Sequence, residues 1–388
     1  MMISPLFNSR KTKFRGKIFI LHLTTVHPRN DPRIRIKEIE SLADRFGAVK
    51  LVVFDGKGND TRGDITTLDL GTPPAFRLQR MLWGNLRAFR VVRRERPRVV
   101  HFHDPELIPL SILLRLFGHR VIYDVHEDVP RQVLEKNWLP VWVRRPISLA
   151  MEVLEWLAVR LFSGVVVTTP TIGMRFPQEK TTLVQNFPIL LELAAATPMP
   201  YKERPLHVAY VGCVTENRGA REMVQSLALL PEAGDIRLRL AGNIWPESVR
   251  RDLEALPGWT RVDFSGWASR PQVADILGQV RAGLVVLHPI ENYLESFPVK
   301  MFEYMAAGLP VIASDFPLWR QIVKGAGCGL LVDPLNPQAI ADAIQWVLDF
   351  PEEAYAMGQR GRQAVENRYN WEAEAVKLIN LYDRLNKT

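Results

Sequence analysis

The sequence predicts an α/β fold built as two Rossmann-like, doubly wound domains. Three observations predict it. The chain has 388 residues, too many for one compact core and suited to two domains of roughly 150–200 residues each. Short apolar runs rich in Val, Ile and Leu alternate with helical stretches, twice over, and lack the polar alternation of half-exposed strands. Polar residues gather where these runs end, the edge at which open parallel sheets bind their ligands.

Composition narrows the class. A hydrophobic share of 47% with 24% charged residues excludes a disordered chain. The two cysteines, Cys213 and Cys328, exclude a disulfide framework or a cysteine-type zinc site and point to a reducing compartment. No apolar run reaches the ~18–20 residues that span a bilayer. The best, Ile147–Val167, is broken by Glu152, Glu155 and Arg160. The basic opening MMISPLFNSRKTKFRGK is followed by KIFILHLTTVH, too short for a signal-peptide core, so a cytoplasmic protein is expected.

In the first half, KIFILHLT is the first strand. The loop behind it, Thr24-Thr-Val-His27-Pro-Arg29-Asn-Asp31-Pro-Arg33, enters a helix over Arg33–Arg45 that Asp31 could cap. VKLVVFD is the next strand. Between Arg77 and Arg98 stand eight arginines opposed only by Glu95, with Met81, Leu82, Trp83 and Phe89 among them. RVVHFH and RVIYDVH follow, ending in His103-Asp104-Pro105-Glu106 and Asp124-Val-His126-Glu127-Asp128. Histidines beside carboxylates at two successive strand ends are functional candidates, the alternative being a structural pair. Trp138-Leu-Pro-Val-Trp142-Val-Arg144-Arg145 leads into a helix with Trp156 and Phe162, and GVVVTTP closes the half. Tryptophans beside arginines suit a membrane interface, so Arg77–Arg98 and Trp138–Arg145 are expected to dock on anionic lipid. The alternative is core tryptophans and solvated arginines. No recognised nucleic-acid module is present, and no nucleic-acid partner is expected.

The join is expected near Asn186–Pro205, where strand pattern lapses. Beyond it LHVAYVG opens a Gly-containing turn, with a helix expected over Arg218–Leu230; IRLRLAG ends at Gly242-Asn243, and VDFSG precedes a helix over Pro271–Gln279. GLVVLHP then leads to Glu295-Ser-Phe-Pro-Val-Lys-Met-Phe-Glu303-Tyr-Met-Ala-Ala-Gly-Leu-Pro-Val-Ile-Ala-Ser, and PVIASD, GLLVD and a helix over Pro337–Asp349 follow. The short helix inside that segment has Pro298 in its first turn and Gly308 as its stop. Unpaired N–H groups around Ser296–Val299, with the helix dipole, make a site for a diphosphate. Glu295 lies just before the helix and Glu303 on its second turn, so one carboxylate can reach a bound sugar and the other the ribose hydroxyls. There is no Asp-x-Asp and no His/Cys cluster at ligand spacing, so no metal is expected. No G-x-G-x-x-G follows a first strand, which argues against a nicotinamide dehydrogenase.

Two glutamates eight positions apart around Ser-Phe, followed by E-Y-M-A-A-G-L-P-V-I-A-S, resemble the signature of glycosyltransferase family 4. The resemblance implies a GT-B fold: an acceptor-binding domain over 1–195, a nucleotide-sugar domain over 196–371, a central cleft, and a helix over 372–388 crossing back to the first domain. It implies retaining transfer of a hexose-type unit from a nucleoside-diphosphate sugar to an acceptor hydroxyl; a UDP-sugar is expected ahead of a GDP-sugar, and the tryptophan–arginine stretches make a lipid-linked or cell-surface glycan precursor the expected acceptor. Neither cofactor nor metal is implied, and attachment would be at the inner face of the plasma membrane. Glu295 would contact the donor sugar near the reacting carbon, Glu303 the ribose, and His126 the sugar from its strand end, with Glu127 where the family usually has Thr. Proline at 298 stands where the family has glycine, Cys213 where it has arginine, and Arg218-Gly219 where it has Lys-Gly. Arg218 would therefore stabilise the leaving group, gripping phosphate bidentately with Arg221 or Lys300 in support. Ser296, Phe297, Val299, Lys300, Gly212 and Asn243 complete the implied donor set. His27, Asp31, Arg33, Asp104 and Glu127 form the acceptor side, because the first loop resembles that of a subgroup of the family. Tyr369-Asn-Trp371 followed by EAEAVKLINLYDRL resembles the closing helix. Two alternatives stand beside this reading: an epimerase of the same fold, and a non-catalytic partner subunit. Loss of arginine at Cys213 favours the subunit; intact Glu295, Glu303 and His126 oppose it.

Overall fold

A computed structural model describes residues 18–134, 139–193, 199–232 and 234–387. Every apolar run expected to be a strand is one; most bury Val, Ile and Leu on both faces, at ~1.5–3 kcal/mol per fully buried side chain, while Val262–Gly266 and Gly329–Val332 are mostly half-buried. The chain forms two units. One comprises Met1–Val167, Ile172–Thr182 and Leu378–Thr388, the other Thr168–Thr171 and Leu183–Lys377. The units thus part at Thr182/Leu183, ahead of the expected 195/196 border, which falls among residues 194–198, outside the described residues.

In the first unit the strands are β1 (Ile20–Leu23), β2 (Val49–Val53), β3 (Asp60–Arg62), β4 (Ile65–Asp69), β5 (Val99–Phe102), β6 (Arg120–Val125), β7 (Gly164–Val167) and β8 (Thr181–Leu183), ordered β3-β4-β2-β1-β5-β6-β7-β8. From β4 to β7 the neighbours pair in parallel, and β3 is antiparallel to β4. The second unit holds β9 (His207–Val211), β10 (Arg237–Ala241), β11 (Val262–Gly266), β12 (Ala282–Val285), β13 (Val311–Ser314) and β14 (Gly329–Val332), ordered β11-β10-β9-β12-β13-β14 and parallel throughout. Setting aside the edge strands β3 and β8, both sheets run third-second-first-fourth-fifth-sixth. The order reverses between β1 and β5 in one unit, and between β9 and β12 in the other. Such a switch point is where a doubly wound sheet binds its ligand.

Helix boundaries follow the local chemistry. Asp31 caps a helix whose opening, Pro32–Ile39, is π-wound and tightens into α over Glu40–Phe46. The expected Arg218–Leu230 helix is split, because Gly219 takes a left-handed φ of 71°; a 3₁₀ turn over Glu216–Arg218 precedes it and the α-helix covers Ala220–Ala228. Ser269 and Gln272 form a capping box, so the helix expected from Pro271 is Arg270–Leu277, one residue ahead of its expected start. The last helix, Trp371–Lys387, passes from the second unit into the first at Lys377/Leu378. Among the described residues, no helix is long and apolar enough to cross a membrane.

Candidate active site

In the second unit the switch-point loops are Gly212–Gly219 behind β9 and His288–Ser296 behind β12. Two glycines let the first loop pack this closely. A Cβ on Gly242 (φ 143°) would sit 1.9 Å from the Gly212 carbonyl oxygen, and one on Gly219 would sit 2.0 Å from that of Val286. Tyr210 fixes the turn, its hydroxyl donating to the Cys213 carbonyl at 2.8 Å, and the Asn217 carbonyl accepts the His288 amide at 2.9 Å. Arg218 is half-buried, with Nη1 3.4 Å from the Cys213 carbonyl oxygen. Arg221 points to solvent, and Asn243 is exposed at the end of β10.

The glutamate segment forms the helix Val299–Ala306, with Pro298 as N-cap and Gly308 beyond its end at φ 72°. The expected donors around Ser296–Val299 need correction. The Ser296 amide donates to the Tyr293 carbonyl at 3.2 Å and Pro298 has no N–H, so the amides left to an anion by the helix geometry are those of Val299 and Lys300. Ser296 is held by its backbone, its carbonyl accepting from Trp319 Nε1 at 2.8 Å. Phe297 stacks on Phe302 with centroids 6.3 Å apart and meets Phe187 edge-on; it is part of the apolar support under the loop. Glu295 is exposed, closing the short helix Glu291–Leu294. Glu303 is buried, with Oε1 2.8 Å from Arg270 Nη1. Arg270 also grips Glu192 with two bonds of 2.9 and 3.0 Å. Sequence reading missed Arg270, although a cation directly behind β11 and its cap was the available signal.

Lys300 also departs from expectation. A first-turn lysine is ordinarily solvated, yet this one turns inward. Its Nζ lies 3.5 Å from the centre of the Tyr210 ring, buried and with no hydrogen-bond partner among the described residues. Burial, then the charge of Arg218, pulls its pKa well below the usual lysine range, against a weaker pull upward from Glu303.

In the first unit Asp104, behind β5, holds the loop behind β1, and His126, behind β6, meets both through His27 and His103. Asp104 Oδ2 accepts from Thr24 Oγ1 at 2.9 Å and from the Thr25 amide at 2.6 Å, and it is buried, so Asp104 holds the first loop in shape. His27 lies at the surface of this arrangement, Nε2 3.5 Å from Asp104 Oδ1 and Nδ1 3.4 Å from Asp31 Oδ2. Burial lowers its pKa, but the Asp31 hydrogen bond and the charges of Asp104 and Asp31 outweigh that and raise it. Asp31 is held at about 2: burial pushes it up, and the bonds from His27 and the Ile34 amide pull it further down. Asp31 therefore serves as cap and as partner of His27 at once. Glu127 is exposed and accepts from Gln132.

Arg33 does not reach the surface expected of an acceptor-side residue. It is buried beneath the loop, 3.0 Å from Glu38 Oε1 and 3.2 Å from Asp124 Oδ1. Around this pair runs a chain of histidines. His126 Nε2 is 3.0 Å from His103 Nδ1, and His103 Nε2 is 3.0 Å from His22 Nδ1. The Tyr382 hydroxyl, from the last helix, lies 3.3 Å from His22 Nε2 and 2.8 Å from His101 Nδ1. Asp124 Oδ2 sits 3.3 Å from His126 Nε2, so the carboxylate holds that ring with its Nδ1 edge turned away. Glu38, His101, His103 and Asp124 bring ligand-type atoms within 4.8 Å of one another, a convergence that sequence spacing concealed. Arg33 already bridges its two carboxylates. Burial, then Asp124, raises the pKa of Glu38; burial also tends to raise Asp124, but Arg33 and the histidines hold it well below the usual range.

The helices Arg77–Glu95 and Val141–Leu161 show an inverted pattern. The first buries Gly84, Ala88 and Val92, while Leu78, Leu82 and Trp83 face solvent, Leu82 at 65% exposure. On the second, Leu149, Val153, Trp156 and Leu157 are exposed and Trp142 reaches 80%, whereas Phe162 is core. Arg80 and Arg87 turn inward, to Glu106 and to the Leu70 carbonyl; Arg90 and Arg94 face solvent, and Arg93 lies over the Phe117 ring. Trp138 lies outside the described residues.

Known proteins match this architecture in both units. The family model "Glycosyl transferase 4-like domain" matches residues 38–183, and "Glycosyl transferases group 1" matches residues 199–364. The chain is a GT-B glycosyltransferase of the family 4 type. This glycosyltransferase is 22% identical to an MMP alpha-(1->4)-mannosyltransferase of Mycolicibacterium hassiacum, over 91% of this chain and 87% of that one. Its fold resembles the sucrose-phosphate synthase of Thermosynechococcus elongatus at a TM-score of 0.76 and 22% identity, covering 95% and 99% of the two chains. It likewise resembles Anabaena Alr3699/HepE, solved in complex with UDP, at a TM-score of 0.70 and 12% identity, covering 95% and 100%.

Proposed function

We propose that this glycosyltransferase moves a hexose from a UDP-sugar to a hydroxyl of a lipid-linked or membrane-proximal glycan, retaining anomeric configuration and needing no metal. The cluster of amides and cations in the second unit carries the reading. The Gly212–Gly219 turn, Arg218, Lys300 and the start of the Val299–Ala306 helix converge beside Glu303, and together they offer amides and cations to a diphosphate without a metal. Glu303 suits ribose hydroxyls, releasing Arg270 as it engages them. Glu295, exposed ahead of the helix, suits the sugar. UDP is favoured by the bound nucleotide of the Anabaena neighbour. His126 and His27, at the strand ends of the first unit, suit contacts to sugar and acceptor, with Asp104, Arg33 and Asp124 as positioning groups beneath them. No side chain here is needed as a covalent nucleophile, since the departing diphosphate can accept the acceptor proton on the same face of the sugar.

The membrane side of the proposal rests on the inverted helices. Exposed Trp83, Trp142 and Trp156 with nearby arginines suit headgroups and anionic lipid. A screen of UDP- and GDP-sugars by thermal shift tests the donor: one at 100 times its Kd adds about 2.7 kcal/mol. Proton NMR of the glycosidic product then reads the anomer. Stabilisation by GDP-sugars alone would overturn the UDP assignment, an inverted product the retaining mechanism.

A further inference from the structure

Lys300 makes no hydrogen bond in the free protein although its ammonium is out of reach of water. The side chain as a whole is only half-buried, so it is the tip, and not the stem, that the protein has turned inward. Its surroundings are specific. The ring of Tyr210 lies beneath Nζ, a Cβ built on Gly212 would come within 3.4 Å of it, and Arg218 and Cys213 face it from the turn behind β9. From its own helix Glu303 faces it, but one oxygen of that carboxylate is already 2.8 Å from Arg270. Two cations thus share a small volume, and neither is given a full counter-charge. Burying an ammonium without a hydrogen-bond partner is unfavourable, and the protein relieves that cost by favouring the neutral amine. An anion arriving at the Gly212 turn would reverse the balance.

We propose that Lys300 is a cation completed by the ligand: the incoming diphosphate supplies its missing partner, and nucleotide binding is coupled to the uptake of a proton by this one side chain. The inference rests on the donor reading above and adds a linkage that the reading does not contain. The proton comes from solvent, goes to the amine, and leaves with the nucleotide. Donor affinity then falls as pH rises from the lowered pKa of the free amine towards that of the nucleotide-bound one, although the nucleotide itself has finished ionising, its terminal phosphate having a second pKa near ~6.

Calorimetric titration with UDP at pH 8–9, in two buffers of different ionisation enthalpy, tests this. Expected is a buffer-dependent enthalpy equal to the uptake of up to one proton. Lys300→Met should abolish the uptake and raise Kd roughly tenfold to a hundredfold, the scale of one charge-assisted bond. Lys300→Arg, charged beforehand, should bind UDP with no uptake; it carries the test if the methionine variant does not fold. UDP binding with the same enthalpy in both buffers, or uptake that persists in Lys300→Met or Lys300→Arg, overturns the linkage and leaves the donor site standing. If the wild-type protein binds neither UDP nor GDP, the donor reading fails and this inference with it.

Discussion

Glu303 and Glu295 sit eight residues apart in sequence and in opposite circumstances, one buried against Arg270 and the other exposed. The difference separates binding from turnover. Removing the Glu303 carboxylate takes an acceptor from the ribose and leaves Arg270 half paired. Glu303→Ala should therefore raise the Kd for UDP by roughly tenfold to a hundredfold. Glu295→Ala should leave that Kd within about threefold and lower turnover by about 10²–10³, as loss of one transition-state contact does. Calorimetry on both variants decides, and equal, unchanged affinities would refute the assignment. The acidic residues were legible because they sit in one short stretch of sequence. Lys300 was legible as a cation but not as an inward-facing one, since only the packing of Tyr210 and the Gly212 turn redirects it. The histidines lay further out of reach. His22, His103 and Tyr382 are joined across 81 and 360 residues, and no local pattern announces such a meeting.

Most strands that the sequence announced are buried on both faces. The strands it concealed are β3, with sequence Asp-Thr-Arg, and β4 and β8, rich in threonine; β3 and β8 lie at the two edges of the first sheet, where polarity carries little cost. At the scale of elements, the junction of β9 and β10 is a tightly constrained point. Gly242→Ala puts a methyl 1.9 Å from the Gly212 carbonyl at a φ that alanine resists, so it should cost about 2–4 kcal/mol and distort the phosphate turn. A lower urea midpoint together with weaker UDP binding is the expected result; an unchanged midpoint would contradict it. The inverted helices give a second expectation. Sedimentation with liposomes should show binding to anionic vesicles that fades at high salt and drops when Arg90, Arg93 and Arg94 become Glu. A protein left in the supernatant at low salt would point to a soluble acceptor.

For the whole molecule, the buried histidines set a pH limit. Burial holds His103 at about 4 and lowers His22 and His101 well below the usual histidine value of 6.5. The unfolded chain therefore binds more protons than the folded one between these values, and stability falls as pH drops from about 6.5 towards 4. Glu38, with its pKa raised, has the opposite sign and subtracts stability as pH rises through its own window. His103 alone accounts for on the order of 3 kcal/mol, so urea midpoints at pH 7 and pH 4.5 should differ clearly. Equal midpoints would mean that the cluster is not buried as described. Activity should survive excess chelator; loss that magnesium or manganese restores would assign a metal to the reaction.

The hydroxyl of Tyr382 between His22 and His101 also bears on the order of synthesis. β1 leaves the ribosome well before the helix Trp371–Lys387, and the group that completes its polar face is made 360 residues after His22. Until then His22 and His101 face one another without their shared partner. The first unit can collapse early around its apolar strands, but it must wait for the last helix to close. At ~5–20 residues per second that wait is tens of seconds, a period in which the half-finished sheet is open to chaperones, proteases and its own neighbours.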